Sequence, residues 1–219
     1  MLPSPIHRLL YNLPRLAGPW LPGVQARGPA YDPVGAPCLY LTFDDGPDPA
    51  HDALLDRLDH YRARATFFFL GTRAAEHPES VQATALAGHS IGVHGWTHDD
   101  PWRTSQSSLV EGFSRTASVV ESLTGRAVRD VRPPYGHITP ALLWWCRRTG
   151  RRLVLWDLMP GDFTVSAAPE AVAHRIVERA RPGSVIVLHE GGAAGDVARS
   201  ALDHALPALR AAGWCFAAL

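Results

Sequence analysis

The segment LTFDDGP at residues 41–47 sets two adjacent carboxylates, Asp44 and Asp45, between an apolar run and a Gly-Pro break. Like charges in a partly buried place repel, and desolvation penalises the ionised form of each. A cation or a basic side chain is therefore expected beside them. HGWTH at 94–98 supplies two imidazoles, His94 and His98, four residues apart. Two ring nitrogens and one carboxylate oxygen give a metal three protein ligands and leave one position open for water. That donor set suits Zn²⁺ and also accepts Fe²⁺, Co²⁺ or Ni²⁺. Arg132, just before Pro133 and Pro134, is a guanidinium suited to a carboxylate kept charged. His189 closes the apolar run VIVLH, and Asp162 follows Pro160-Gly161. Each group alone has a plainer reading: an Asx turn before Gly46-Pro47, surface histidines, a turn cap at Asp162, a hydrogen-bonded core imidazole at His189. Only their common placement separates the two readings.

That placement is set by the elements between them. Apolar runs that read as strands occur at 38–43, 65–70, 90–94, 128–132, 151–157, 184–189 and 214–219, mostly bounded by Gly, Pro or charge. Helical periodicities fall between most of them: Leu54, Leu58 and Tyr61; Val81 to Ala87 with a stop at Gly88; Leu109, Phe113 and Val120; Leu142 and Trp145; Val172 and Ile176; Leu202, Leu206 and Leu209. Strands apolar on both faces and alternating with helices imply a parallel sheet covered by helices. Seven such units predict an α/β fold, a single-domain βα barrel, with a doubly wound open sheet as the alternative. In both, ligands bind at the carboxyl ends of the strands. Asp44 and Asp45, His94 and His98, Arg132 to Tyr135, Asp157 and Asp162, and His189 with Glu190 all follow strands, so they are expected on one rim.

The bulk of the sequence narrows partners. Its 219 residues suit one domain, and 21 basic against 21 acidic residues leave no overall field to recruit nucleic acid or an anionic membrane. No stretch reaches the length of a membrane span. Residues 1–37 are Pro-rich and read as an N-terminal arm on the surface, before a domain at 38–219. Prolines interrupt every early apolar run short of signal-peptide length, so a cytoplasmic location and a monomer are the expectations. Cys38, Cys146 and Cys215 are odd in number and widely spaced, which predicts unpaired core or surface residues, neither a disulfide framework nor a thiolate metal site.

The motifs together resemble the NodB-homology polysaccharide deacetylases, metal-dependent carbohydrate esterases built on a distorted (β/α)7 barrel similar to a TIM barrel. TFDDGP at 42–47, the His94/His98 pair, RPPYG at 132–136, WDLMPGDF at 156–163 and VLH at 187–189 appear in the family's order, over about residues 36–219. The resemblance implies that Asp44 is the general base and that Asp45, His94 and His98 hold a divalent metal, Zn²⁺ before Co²⁺ or Ni²⁺. It implies that Arg132 orients the base, that the Tyr135 amide helps hold an oxyanion, and that Asp162 tunes the general acid His189. Pro134, Tyr135, Phe163, Val187 and Trp96 are the implied substrate-side residues. Gly95 stands where the family has Ser or Thr, Phe163 where it has Trp and Val187 where it has Leu. The implied substrate is an acetylated amino sugar or polysaccharide, peptidoglycan or chitin-like. Removal of O-acetyl esters and a non-catalytic, metal-containing carbohydrate-binding barrel are the alternatives. A metal-dependent phosphohydrolase is disfavoured, because no Gly-rich phosphate loop precedes a helix. Trp96, Trp102 and Tyr135 are aromatics that sugars could stack on.

Overall fold

The computed structural model describes residues 23–219. All seven expected strands form, with an eighth ahead of them: β1 (Val24–Gln25), β2 (Cys38–Asp44), β3 (Ala65–Phe69), β4 (Ser90–Val93), β5 (Asp130–Val131), β6 (Arg152–Val154), β7 (Ser184–His189) and β8 (Cys215–Phe216). The helices are α1 (His51–His60), α2 (Gly71–Glu76), α3 (Pro78–Leu86), α4 (Gln106–Thr124), α5 (Pro140–Arg148), α6 (Pro169–Arg179) and α7 (Gly192–Ala211). Only α2 lacks a counterpart in the sequence reading, because six residues are too few to show a period.

Every strand pair is parallel, in the order β1-β6-β5-β4-β3-β2-β7, with β8 also on β2. The sheet curls until Leu158, just past β6, bridges Ile186 of β7, and Arg27, just past β1, bridges Ser184. These isolated bridges close a distorted (β/α)7 barrel, and the open doubly wound sheet is set aside.

Period-two alternation sorts the strand side chains. Leu39, Leu41 and Phe43 of β2 and Ile186 and Leu188 of β7 join the large cluster that the helices cover. Tyr40 of β2 and Val185 and Val187 of β7 join a second, smaller cluster with Leu155 and Trp156. On the same inner side of β2, Thr42 and then Asp44 follow, so the strand that buries three large apolar residues outward carries a carboxylate inward at its carboxyl end.

Two expectations change. Residues 1–22 of the anticipated arm lie outside the described residues, and part of the remainder is not surface wrapping: Val24 and Gln25 pair with Leu153 and Val154. Arg27 then donates to Asp157 at 2.7 Å and to the Pro182 carbonyl at 2.6 Å, pinning the barrel closure. The cysteines are not all unpaired. Cys38 and Cys215 form a disulfide across 177 residues of chain, because β8 returns beside β2 with these two residues in register. Spacing in the sequence carries no trace of that topology. Cys146 is a buried free thiol, as expected, and burial pushes it up to about 12.

Candidate active site

The strand ends converge. β2 delivers Asp44 and Asp45, the residues after β4 bring His94 and His98, the turn after β5 brings Arg132, and β7 ends in His189. Asp45, His94 and His98 each offer one ligand atom, all within 4.8 Å of one another. Asp45 Oδ1 lies 3.6 Å from His94 Nε2 and 3.4 Å from His98 Nε2. The His94 ring is oriented by its other nitrogen: Nδ1–H donates to the Arg132 carbonyl at 2.7 Å, which leaves the Nε2 lone pair facing the carboxylate. Burial pushes His94 down to about 3, although Asp45 pulls the other way. Asp45 Oδ1 is buried without a hydrogen-bond partner. A lone pair and an orphaned anionic oxygen that face each other repel unless a cation sits between them. These residues therefore fit a divalent metal.

Asp44 is placed differently from its neighbour. Its side chain is 4 % exposed against 25 % for Asp45, and Arg132 Nη1 donates to its Oδ1 at 2.7 Å. Arg132 is fully buried. It also donates to Thr42 Oγ1 at 2.7 Å and to the carbonyls of Val154 and Leu155, and its guanidinium lies 4.1 Å from the Phe68 ring centre. Burial pulls its pKa down and Asp44 pulls it back. Held by these four bonds, the guanidinium fixes Oδ1 and leaves Oδ2 3.9 Å from His94 Nε2.

On the neighbouring strand stands His189, in register with Asp44. Asp162, buried, accepts from the His189 amide at 2.7 Å and sits 3.2 Å from His189 Nδ1. Burial lowers the imidazole's affinity for a proton, but the bond to Asp162 and its charge, with Asp44 and Asp45 beyond, outweigh it and raise His189 to about 9. The Phe163 ring meets His189 edge-on at 5.2 Å. Val187 is buried on the same inner side of β7.

The backbone is unusual at both working turns. Asp45 has φ 73° and Tyr135 has φ 59°, a left-handed conformation that Asp tolerates and an aromatic residue rarely adopts. The Tyr135 peptide is thus held in an orientation that an ordinary turn does not provide. Its ring meets His98 of the candidate metal set edge-on at 4.7 Å, next to Pro134 in the same turn. Gly95 has φ 100°, and a Cβ there would come within 3.0 Å of the Thr97 carbonyl. Its own carbonyl accepts from the Gly71 amide and the Thr116 hydroxyl, both at 2.9 Å. The glycine is a requirement of this loop, which is held from two elements.

Two expected members also make structural contacts. Trp96 packs where a Gly71 Cβ would be, and the Arg115 guanidinium covers its ring at 3.6 Å. Asp157 binds Arg27, Ser184 Oγ and the Val185 amide, so it ties β6 to β7.

One pair escaped the sequence reading as a working unit. Glu190, fully buried, spans the loop that carries the two carboxylates: its amide donates to the Asp44 carbonyl at 3.0 Å, and its Oε1 accepts from the Asp48 amide at 3.0 Å. Its Oε2 occupies the space of a Gly46 Cβ, at 2.0 Å. Thr84 Oγ1 donates to the Ser80 carbonyl, so His51 Nε2–H donates to Thr84 at 2.7 Å, and His51 Nδ1 shares a proton with Glu190 Oε1 at 2.6 Å. The position of Glu190 beside His189 was a visible hint. His51 gave none, since it begins a helix whose pattern is carried by leucines.

Known proteins match this arrangement. The family model described as polysaccharide deacetylase matches residues 31–154. A peptidoglycan-N-acetylglucosamine deacetylase of Bacillus cereus is 32 % identical over 209 residues, covering 92 % of this chain and 75 % of the relative. A chitooligosaccharide deacetylase of Azorhizobium caulinodans is 33 % identical over 189 residues, covering 80 % and 90 %. The crystal structure of the Bc1960 peptidoglycan N-acetylglucosamine deacetylase, in complex with a naphthalenyl N-oxidanyl-benzamide, superposes with a TM-score of 0.81 at 31 % identity, covering 89 % of this chain and 90 % of that one. The chain belongs to the polysaccharide deacetylase family.

Proposed function

We propose that the chain hydrolyses the N-acetyl groups of N-acetylglucosamine-type sugars in a polymer or oligomer, peptidoglycan or chitin-like. Asp45, His94 and His98 would hold a divalent metal, Zn²⁺ before Co²⁺ or Ni²⁺. When bound, such an ion polarises a carbonyl oxygen and acidifies water. Asp44, fixed by Arg132 and adjacent to the ligand set, takes the proton of the attacking water. The Tyr135 amide faces the developing oxyanion, the kind of preorganised donor that accounts for about 3–4 kcal/mol of barrier in other hydrolases. His189, cationic through Asp162, gives its proton to the departing nitrogen. Phe163 and Val187 line the acetyl methyl.

The single observation that carries this reading is that Asp44, bonded to Arg132, and His189, bonded to Asp162, stand in register on adjacent strands beside the Asp45, His94 and His98 set. It favours an amide over an ester, because an amine leaves only when protonated and His189 is built to stay protonated. The names of the relatives support the substrate class. The Cys38–Cys215 disulfide, a bond that persists in oxidising surroundings, favours an exported workplace over a cytoplasmic one.

Acetate release from N-acetylglucosamine oligomers, beside an O-acetylated xylan, tests the reading. Release from the amide substrate that stops with chelator and returns with Zn²⁺, Co²⁺ or Ni²⁺ is expected. Release only from the ester, or release indifferent to chelator, would overturn it.

A further inference from the structure

Beyond the metal ligands a row of rings leads outward. His98 meets Tyr135 edge-on at 4.7 Å, Tyr135 lies 5.5 Å from His137, and His137 stacks flat on Trp102 with ring centres 3.6 Å apart and planes 2° from parallel. Trp102 is held at several points. Its indole N–H donates to the Ile138 carbonyl at 3.1 Å, and its amide donates to Asp100 Oδ1 at 3.0 Å. The same carboxylate oxygen accepts from His137 Nδ1 at 2.7 Å, so Asp100 locks the two stacked rings together. Yet Trp102 is 52 % exposed.

This is an expensive arrangement for a surface residue with no task. A large ring whose polar atom is satisfied, whose one face is backed by a parallel imidazole, and which stays half in water presents a flat apolar surface already in its binding conformation. A rigid aromatic loses little conformational entropy on contact with a ligand. Its π face is electronegative and attracts the weakly positive C–H bonds that a pyranose ring presents on its flat side. The contrast with other tryptophans is instructive. Trp96 has its face covered by Arg115, and Trp144, though exposed, has Arg148 over its ring and lies on α5, outside the row.

We propose that Trp102, backed by His137, is a second sugar subsite, stacking on the pyranose next to the one that carries the scissile acetyl group. The row of rings gives it direction, since Tyr135 stands between this platform and the metal ligands. The inference rests on the deacetylase reading for its substrate, and names oligomers over single sugars as the preferred class.

The test compares kcat/KM on N-acetylglucosamine hexamer and monomer, using the metal-loaded full chain and the variants Trp102→Ala and Trp102→Phe. The hexamer-to-monomer ratio is expected to fall roughly tenfold in Trp102→Ala, as for loss of one stacked ring, and to be largely restored in Trp102→Phe. An unchanged ratio overturns the subsite. Titration of hexamer into Asp44→Asn, with and without Trp102→Ala, separates binding from turnover, and about tenfold weaker binding with the second substitution is expected. Equal binding by the two proteins, or none by either, overturns the subsite. If the wild type releases no acetate while the tenfold binding difference holds, the deacetylase reading falls and the sugar platform stands.

Discussion

His94 at the end of β4 and His189 at the end of β7 share a rim, the first buried and the second partly so. Their Nδ1 atoms differ in one partner. His94 donates to the neutral carbonyl of Arg132, beside a buried guanidinium, and burial takes it down to about 3. His189 meets the carboxylate of Asp162, which overrides its desolvation and takes it up to about 9. With a carbonyl as partner one imidazole holds its proton weakly, and with a carboxylate the other holds it strongly. The same logic divides the carboxylates: Asp44 has a guanidinium on one oxygen, whereas Asp45 has an orphaned one. In the proposed mechanism, role follows from the second partner of each group, which the residue type alone does not reveal.

Removing the cationic side of the contrast has the largest expected effect. His189→Ala should lower kcat for acetate release by about 10²–10⁴-fold, the range for loss of a general acid, while metal binding measured by competition with a chromophoric chelator persists. Asp162→Asn weakens the contrast without deleting it. A raised imidazole pKa means the cation survives to higher pH, so wild-type activity should fall as pH rises toward about 9. The limb lies at or below that value because a cation at Asp45 cancels part of the carboxylates' pull. In Asp162→Asn the limb should move down toward the ordinary histidine value of about 6.5, with kcat lower by about 10–100-fold at neutral pH. A limb that stays in place would mean Asp162 does not set the charge of His189. The smallest effect is expected from Glu190→Gln, which keeps an acceptor for the Asp48 amide and loses the proton shared with His51. Loosening the Asp45 loop should weaken metal binding by about tenfold, and an unchanged metal affinity would show that the loop holds its place without that pair.

Much of this was legible in advance because it depends on local pattern. Strand runs mark where β2 to β8 lie, and the carboxyl-end rule places Asp44, His94 and His189 on one rim before any contact is known. β1 was not legible, since Val24-Gln25 is two residues among prolines and becomes a strand only because β6 offers an edge. The disulfide was not legible because β8 reaches β2 through the fold alone. The Glu190–His51 pair joins residues 139 apart in sequence, and nothing in either segment names the other. The packing of Trp96 against Gly71 and under Arg115 was not legible either, since it depends on residues 25 and 19 positions away. Gly95 reads as a departure from the family until its φ of 100° shows why a side chain does not fit.

The central claim is that two adjacent aspartates divide the work. Asp44→Asn and Asp45→Asn proteins, analysed for bound metal by native mass spectrometry beside acetate release from N-acetylglucosamine oligomers, test it directly. Asp44→Asn should keep one metal ion per chain and lose acetate release by at least about 10²-fold, whereas Asp45→Asn should lose both. Wild-type turnover in Asp44→Asn, or undiminished metal binding in Asp45→Asn, would contradict the account.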